Sequence, residues 1–250
     1  MRRLAVLRRI LLMFFKLWGF HKLIRMVWGA KHKTYEENYE YLQEVTRKAI
    51  KAGHVNAEYH GLENIPEENG FVFFPNHQGM FDVLMLLASS PKPFSFIMKK
   101  EAKDLPIVRE VAMGLRALAI DRDDVRQAMT VINEMTENIK LGYNYVIFPE
   151  GTRSRKKNAM NEMKGGSFKS AYRAKAPIVP CALLGAYKPF DSKSIKPVDV
   201  ALYYLPPMYY EEYKDMKTVE IAAEVRRRIE AKIKEVTDSD TRFEKPIDNE

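Results

Sequence analysis

The chain has 250 residues, 46% hydrophobic and 30% charged, with a formal net charge of +8 and one cysteine, Cys181. This length and composition fit one sizeable folded α/β domain with an appendage, and the cysteine count excludes an internal disulfide. The charge is concentrated: residues 1 to 35 hold nine Lys/Arg and no acid, leaving 32 bases against 33 acids elsewhere, which excludes a whole-protein nucleic-acid footprint.

The first segment, RRLAVLRRILLMFFKLWGFHKLIRMVWGA, carries those bases and both tryptophans, Trp18 and Trp28. Its longest charge-free apolar run, Ile10 to Phe15, falls far short of the roughly 18–20 residues of a spanning helix. No small-x-small cleavage site follows it, so a signal peptide fits poorly. A basic helix interleaved with Leu, Phe and Trp suits a membrane interface, with Lys and Arg stems reaching anionic headgroups. The alternative is a helix packed on the domain or on a partner subunit. Next, YEENYEYLQEVTRKAIKAG has helical periodicity, early acids, late bases and a terminal glycine.

From His54 onward, strand-like and helix-like stretches alternate. VNAEYHGL, GFVFFP, FSFIM, ALAID, NYVIF, IVPCALL and VDVALYYL read as strands. DVLMLLAS, LPIVREVAM, DDVRQAMTVINEMTENIKLG, GSFKSAYRAK and TVEIAAEVRRRIEAKIKEV read as helices. The pattern predicts an α/β fold, a mainly parallel sheet flanked by helices on both faces, behind an N-terminal basic amphipathic membrane anchor. Three parts are expected: an interface segment over residues 1–52, an α/β domain over 53–236, and a frayed tail over 237–250. Cys181, inside IVPCALL, reads as a buried thiol suited to a reducing compartment.

Chemistry in such sheets collects at the carboxyl ends of the strands. Three polar stretches fall there: NHQGMFD after FVFFP, DRDD after ALAI, and EGTRSRKKN after NYVIFP. A histidine with an acid five residues on is weak evidence alone, and His32 with Glu37 makes another such pair. His77 and Asp82 differ by their strand-end position. A carboxylate on one ring nitrogen fixes the tautomer and leaves the other nitrogen to take a proton from a hydroxyl. A structural pair capping the helix is the alternative. No G-x-S-x-G is present, so a serine nucleophile does not fit, and the implied reaction is direct attack by a substrate hydroxyl. Arg153, Arg155, Lys156 and Lys157 form an anion-facing loop. Neither G-x-G-x-x-G nor a Walker A sequence exists, nor HExxH or a cysteine pair, so a phosphate monoester is the simplest ligand and no metal is expected.

NHQGMFD and FPEGTRSR together resemble the first and third motifs of the glycerolipid acyltransferases, specifically the bacterial 1-acyl-glycerol-3-phosphate acyltransferases. AIDRDD around Arg122 is similar to the second motif, and PIVPCAL around Pro180 to the fourth. IMKKEAKDLP resembles the family's lysine-bearing segment, with Lys99 at the matching position. The resemblance covers about residues 54 to 205 and departs at Arg116, where many relatives have glycine, and at Gly79, where serine is common. It implies His77 as general base and Asp82 as its orienting partner. Lys99, Arg122 and Arg153 would hold the acceptor phosphate, with Glu150, Gly151 and Thr152 shaping that pocket. No cofactor is implied beyond a thioester co-substrate on coenzyme A or acyl carrier protein. The implied acceptor is lysophosphatidic acid, presented by an anionic membrane surface at the cytoplasmic face and met by a peripheral or monotopic enzyme. Rival readings are another acceptor (glycerol-3-phosphate or a different lysophospholipid) and a non-catalytic peripheral lipid-binding protein.

Overall fold

The computed structural model describes residues 34–104, 108–121, 124–191 and 196–244. The expected N-terminal anchor lies outside them, as does Arg122. Fifteen helices and strands, with three short 3₁₀ turns, are found among the described residues. In chain order they are α1 (Tyr35–Ala52), β1 (Val55–His60), β2 (Val72–Pro75), α2 (Asp82–Ser89) and β3 (Phe94–Lys99). Next come α3 (Val108–Gly114), β4 (Leu118–Ile120), α4 (Val125–Lys140), β5 (Asn144–Val146) and α5 (Lys169–Ala174). The series closes with β6 (Ile178–Leu184), α6 (Lys188–Asp191), β7 (Val198–Tyr204), α7 (Tyr210–Tyr213) and α8 (Thr218–Ser239).

All seven expected strands join one sheet in the order β1-β7-β6-β2-β5-β3-β4. Every neighbouring pair is parallel except β6 with β7. The sheet is thus mainly parallel, with β1 and β7 running opposite to the other five strands. β2 lies near its middle, and its four residues are all buried. That is why GFVFFP shows no apolar–polar alternation: both of its faces are covered. Phe73 joins a core with α1 and α2, while Val72 and Phe74 join one with α4, α5 and α8. Phe74 stacks on Phe168, ring centroids 4.1 Å apart.

Local punctuation sets the helix ends. Thr34 and Glu37 close a capping box at the start of α1, and Asp124 accepts the first free amides of α4, those of Arg126 and Gln127. The helix α1 is part of the domain core, not separate from it: Tyr39, Leu42 and Ile50 pack with the strands. Its side chains also satisfy the carbonyls that α2 leaves open at its end. Arg47 Nε donates to Ala88 at 2.7 Å, and Gln43 Nε2 to Ser90 at 2.7 Å and Leu87 at 3.0 Å. Helix α2, whose first residue is Asp82, is therefore held at both ends.

The segment after Val236, expected to fray, differs from that reading through residue 244. Helix α8 continues to Ser239, and Thr237 and Phe243 are buried. The Phe243 ring packs against Gly185, whose left-handed backbone (φ 71°) and close approach to the Asp199 carbonyl, 2.6 Å from where a Cβ would sit, call for glycine. Cys181 is fully buried in β6, and burial pushes its thiol well up, as suits a packing residue.

Candidate active site

β2 ends at Pro75, and the chain turns through 76–81 into α2. Asp82 opens that helix, fully buried, and the turn wraps around its carboxylate. Oδ2 accepts the backbone N–H of Gln78 at 2.7 Å and of Gly79 at 3.0 Å; Oδ1 takes Gly79 at 3.1 Å. His77 Nδ1 lies 2.7 Å from Oδ2. A buried carboxylate without partners would cost several kcal/mol; here each donor is built in. Burial still raises the Asp82 pKa, against the pull of the His77 imidazole and the two amides. The carboxylate can only accept from those amides, so the shared proton sits between Nδ1 and Oδ2. That tautomer leaves Nε2 bare. The imidazole is 21% exposed and Asp82 not at all, so only the histidine reaches an incoming molecule. Its ring leans on Phe148, centroids 4.2 Å apart, which limits its rotation.

Glu150 ties this turn to the basic loop. Its side chain is buried, Oε1 accepting the His77 backbone N–H at 2.7 Å and Oε2 that of Asn161 at 2.8 Å. Burial raises its pKa, and the two amides oppose that. Ser154 N–H donates to the His77 carbonyl at 2.9 Å, so the two motifs are stitched at both backbone groups of one residue. Glu150 therefore shapes the loop through its backbone bonds.

Gly151 is left-handed (φ 72°), a conformation that suits glycine. The Lys164 side chain lies over it: a Cβ at 151 would sit 3.3 Å from Nζ. Thr152 is exposed and Arg153 half-buried. Among the described residues, the side chains of Arg153, Arg155 and Lys156 make no hydrogen bond or ion pair. Lys157 pairs with Glu244. Lys99 ends β3, two strands from β2 along the same carboxyl edge, and its Nζ meets Glu101 at 3.1 Å. Pro180 lies in β6 in register with Phe74, beneath the turn. His77, Asp82, Glu150, Gly151 and Arg153 are thus brought into one connected unit; Lys99 stands further along the edge.

The two departures from the family pattern have plain causes. Arg116 is itself left-handed (φ 52°), the conformation that favours glycine there. Its guanidinium lies over Tyr35 (5.0 Å) and Tyr143 (5.9 Å) and donates to the Tyr143 hydroxyl at 3.1 Å. A Cβ at Gly79 would meet only ordinary contacts, 3.5 Å or more, so serine fits equally well. Four polar residues went unnoticed in the sequence. They are Asn76, which exchanges two bonds with the Leu183 backbone, Gln78, Asn158, and Lys164. Their only signal was polarity beside buried strands.

The arrangement is an α/β fold in which a buried-carboxylate histidine pair and a basic loop share one sheet edge. The fold has a close counterpart. It aligns with the crystal structure of the 1-acyl-sn-glycerophosphate (LPA) acyltransferase PlsC from Thermotoga maritima at a TM-score of 0.74 and 22% identity, over 92% of this chain and 97% of that one. Residues 56–184 match the family model described as Acyltransferase. The chain belongs to the acyltransferase family. Curated relatives include a chloroplastic 1-acyl-sn-glycerol-3-phosphate acyltransferase of Arabidopsis thaliana, 33% identical over 51% of this chain and 36% of its own length. Another, the 1-acyl-sn-glycerol-3-phosphate acyltransferase of Helicobacter pylori, is 29% identical over 48% of this chain and 51% of its own. The chain spans about half the length, or less, of these relatives.

Proposed function

We propose that this chain moves a fatty acyl group from a thioester to the free hydroxyl of 1-acyl-glycerol-3-phosphate, giving phosphatidic acid. The observation that carries the reading is the 2.7 Å His77–Asp82 contact, which leaves Nε2 bare on a turn bonded to the loop that carries the unpaired Arg153, Arg155 and Lys156. In this mechanism Nε2 takes the hydroxyl proton as the oxygen attacks the thioester carbonyl. The tetrahedral intermediate collapses, the new ester remains, and the departing thiolate takes the proton back from the imidazole. Arg153 holds the acceptor phosphate by charge-assisted bonds, with Arg122 and Lys99 completing the grip and Gly151 and Thr152 lining the approach. The donor is a thioester of coenzyme A or of acyl carrier protein. The names of the curated relatives support this acceptor.

The same reading puts the enzyme at the cytoplasmic face of an anionic membrane, held by residues 1–33. No helix among the described residues is long and apolar enough to cross a membrane. The nine bases and two tryptophans of the first segment favour interfacial binding. Removing residues 1–33 should cut co-sedimentation with anionic vesicles, leave the domain folded, and spare activity on short, water-soluble substrates. Unchanged sedimentation would place the anchor elsewhere.

Thioester consumption measured against a panel of acceptors tests the function: 1-acyl-glycerol-3-phosphate, glycerol-3-phosphate, lysophosphatidylglycerol and monoacylglycerol. The first should be used best and monoacylglycerol poorly. Preference for another phosphate-bearing acceptor would move the substrate within the family, and no turnover with any would leave the lipid-binding rival.

A further inference from the structure

Behind the dyad lies a set of buried amides that the proposed chemistry does not use. Asn158 is 1% exposed. Its Oδ1 accepts Gln78 Nε2 at 3.0 Å and the Gly185 N–H at 3.0 Å, and its Nδ2 donates to the Glu244 carbonyl at 2.5 Å. Gln78 is equally committed: Nε2 also donates to Leu183 at 2.9 Å, and Oε1 accepts the Ala186 N–H at 2.7 Å. Its backbone N–H donates at 2.7 Å to Asp82 Oδ2, the oxygen that holds His77. A continuous path of hydrogen bonds thus runs from Glu244 through Asn158, Gln78 and Asp82 to the imidazole. At its far end the C-terminal strap is pinned by several contacts, among them the Arg242 pair with Glu58. Phe243 is buried against Gly185, Lys188 Nζ donates to the Arg242 carbonyl at 2.9 Å, and Lys157 pairs with Glu244.

We propose that Asn158 is a positioning residue for the His77–Asp82 pair and that the strap Arg242–Glu244 is the clamp that fixes it. The proposal rests on the acyltransfer reading of that pair. A single amide serves three elements at once: the turn after β2, the end of β6 and the strap. Taking it away strands a Gln78 side-chain N–H and the Gly185 N–H in a buried place, releases the carbonyl of the exposed Glu244, and removes one of the three bonds that hold the Gln78 side chain. Because Gln78 also supplies a donor to Asp82, the disturbance arrives at the carboxylate that orients the base. Nothing in this path touches the basic loop's free side chains, so acceptor binding should be spared.

The test compares full-length wild type, Asn158→Ala, Asp82→Asn and the double variant. Asn158→Ala should lower kcat about 10- to 100-fold while KM for acceptor and donor stays within about threefold. In the Asp82→Asn background the same substitution should cost less than about threefold, because the path is already cut. The His77 imidazole titration, followed by NMR without substrate, should shift in Asn158→Ala. Equal losses in both backgrounds, with an unshifted His77 titration, would overturn the proposal and leave Asn158 a packing residue. Should Asn158→Ala not fold, Asn158→Asp, which keeps the acceptor but loses the donor to Glu244, carries the same comparison. If wild type consumes no thioester with any acceptor, the acyltransfer reading fails on that result, while the His77 titration still decides the positioning.

Discussion

The turn 76–82 and the loop 152–157 meet at one sheet edge and are built in opposite ways. In the turn, the Asp82 carboxylate is saturated by the protein's own donors, and the His77 backbone is held at both its N–H and its carbonyl. In the loop, among the described residues, the side chains of Arg153, Arg155 and Lys156 have no partner. Two of its residues, Arg155 and Lys157, adopt left-handed backbone (φ 54° and 57°), which is uncommon without glycine. A base works when its orientation is fixed in advance, whereas an anion clamp works when its charges wait for the anion. Glu150 joins the two, and it does so through backbone amides, so the loop's position is set without using up its charge.

The largest expected effect is on the turn. His77→Ala should lower kcat by about 10²–10⁴-fold with little change in melting temperature, since its ring is partly exposed. The loop comes next. Charge-assisted contacts are worth roughly 1.5–3 kcal/mol, so Arg153→Ala should reduce kcat/KM for a phosphate-bearing acceptor about 10- to 150-fold, again with an unchanged melt.

A smaller, pH-dependent effect separates burial from bonding in the turn. Burial raises the Asp82 pKa above its unfolded value, so the folded chain holds that proton more tightly. Its contribution to stability is complete below the ordinary carboxylate range and is lost as pH rises through the raised value. Urea melts of wild type against Asp82→Asn should therefore show wild type's relative stability shrinking as pH rises. A gap that widens instead would mean that the three donors outweigh burial.

The smallest effect lies away from both regions. Arg116→Gly relieves a left-handed residue but loses the contacts with Tyr35 and Tyr143. Stability should change by no more than about 1 kcal/mol, read by chemical denaturation.

Much of this was legible beforehand. Seven strand-like stretches correspond to seven strands, and the helix DVLMLLAS has the bounds Asp82–Ser89. Strand direction was not legible: nothing local in VDVALYYL says that β7 runs antiparallel to β6. His77 with Asp82 could be read as a pair because the strand end and helix start fix their spacing. Asn158 and Gln78 could not, since the side-chain partners lie 27 to 108 residues distant and follow no period. The strap was missed for a similar reason. TDSDTRFEKPIDNE is polar overall, and the place that Phe243 fills against Gly185 is formed by residues almost sixty positions earlier.

The division of labour between turn and loop is the central claim, and one set of rate measurements reaches it most directly. Thioester consumption would be followed with wild type, His77→Ala and Arg153→Ala, each on 1-acyl-glycerol-3-phosphate and on monoacylglycerol. The account predicts that His77→Ala loses both activities by the same factor, while Arg153→Ala loses the preference for phosphate and little of the slow monoacylglycerol rate. A His77→Ala enzyme with near wild-type turnover, or an Arg153→Ala enzyme that falls equally on both acceptors, would contradict it.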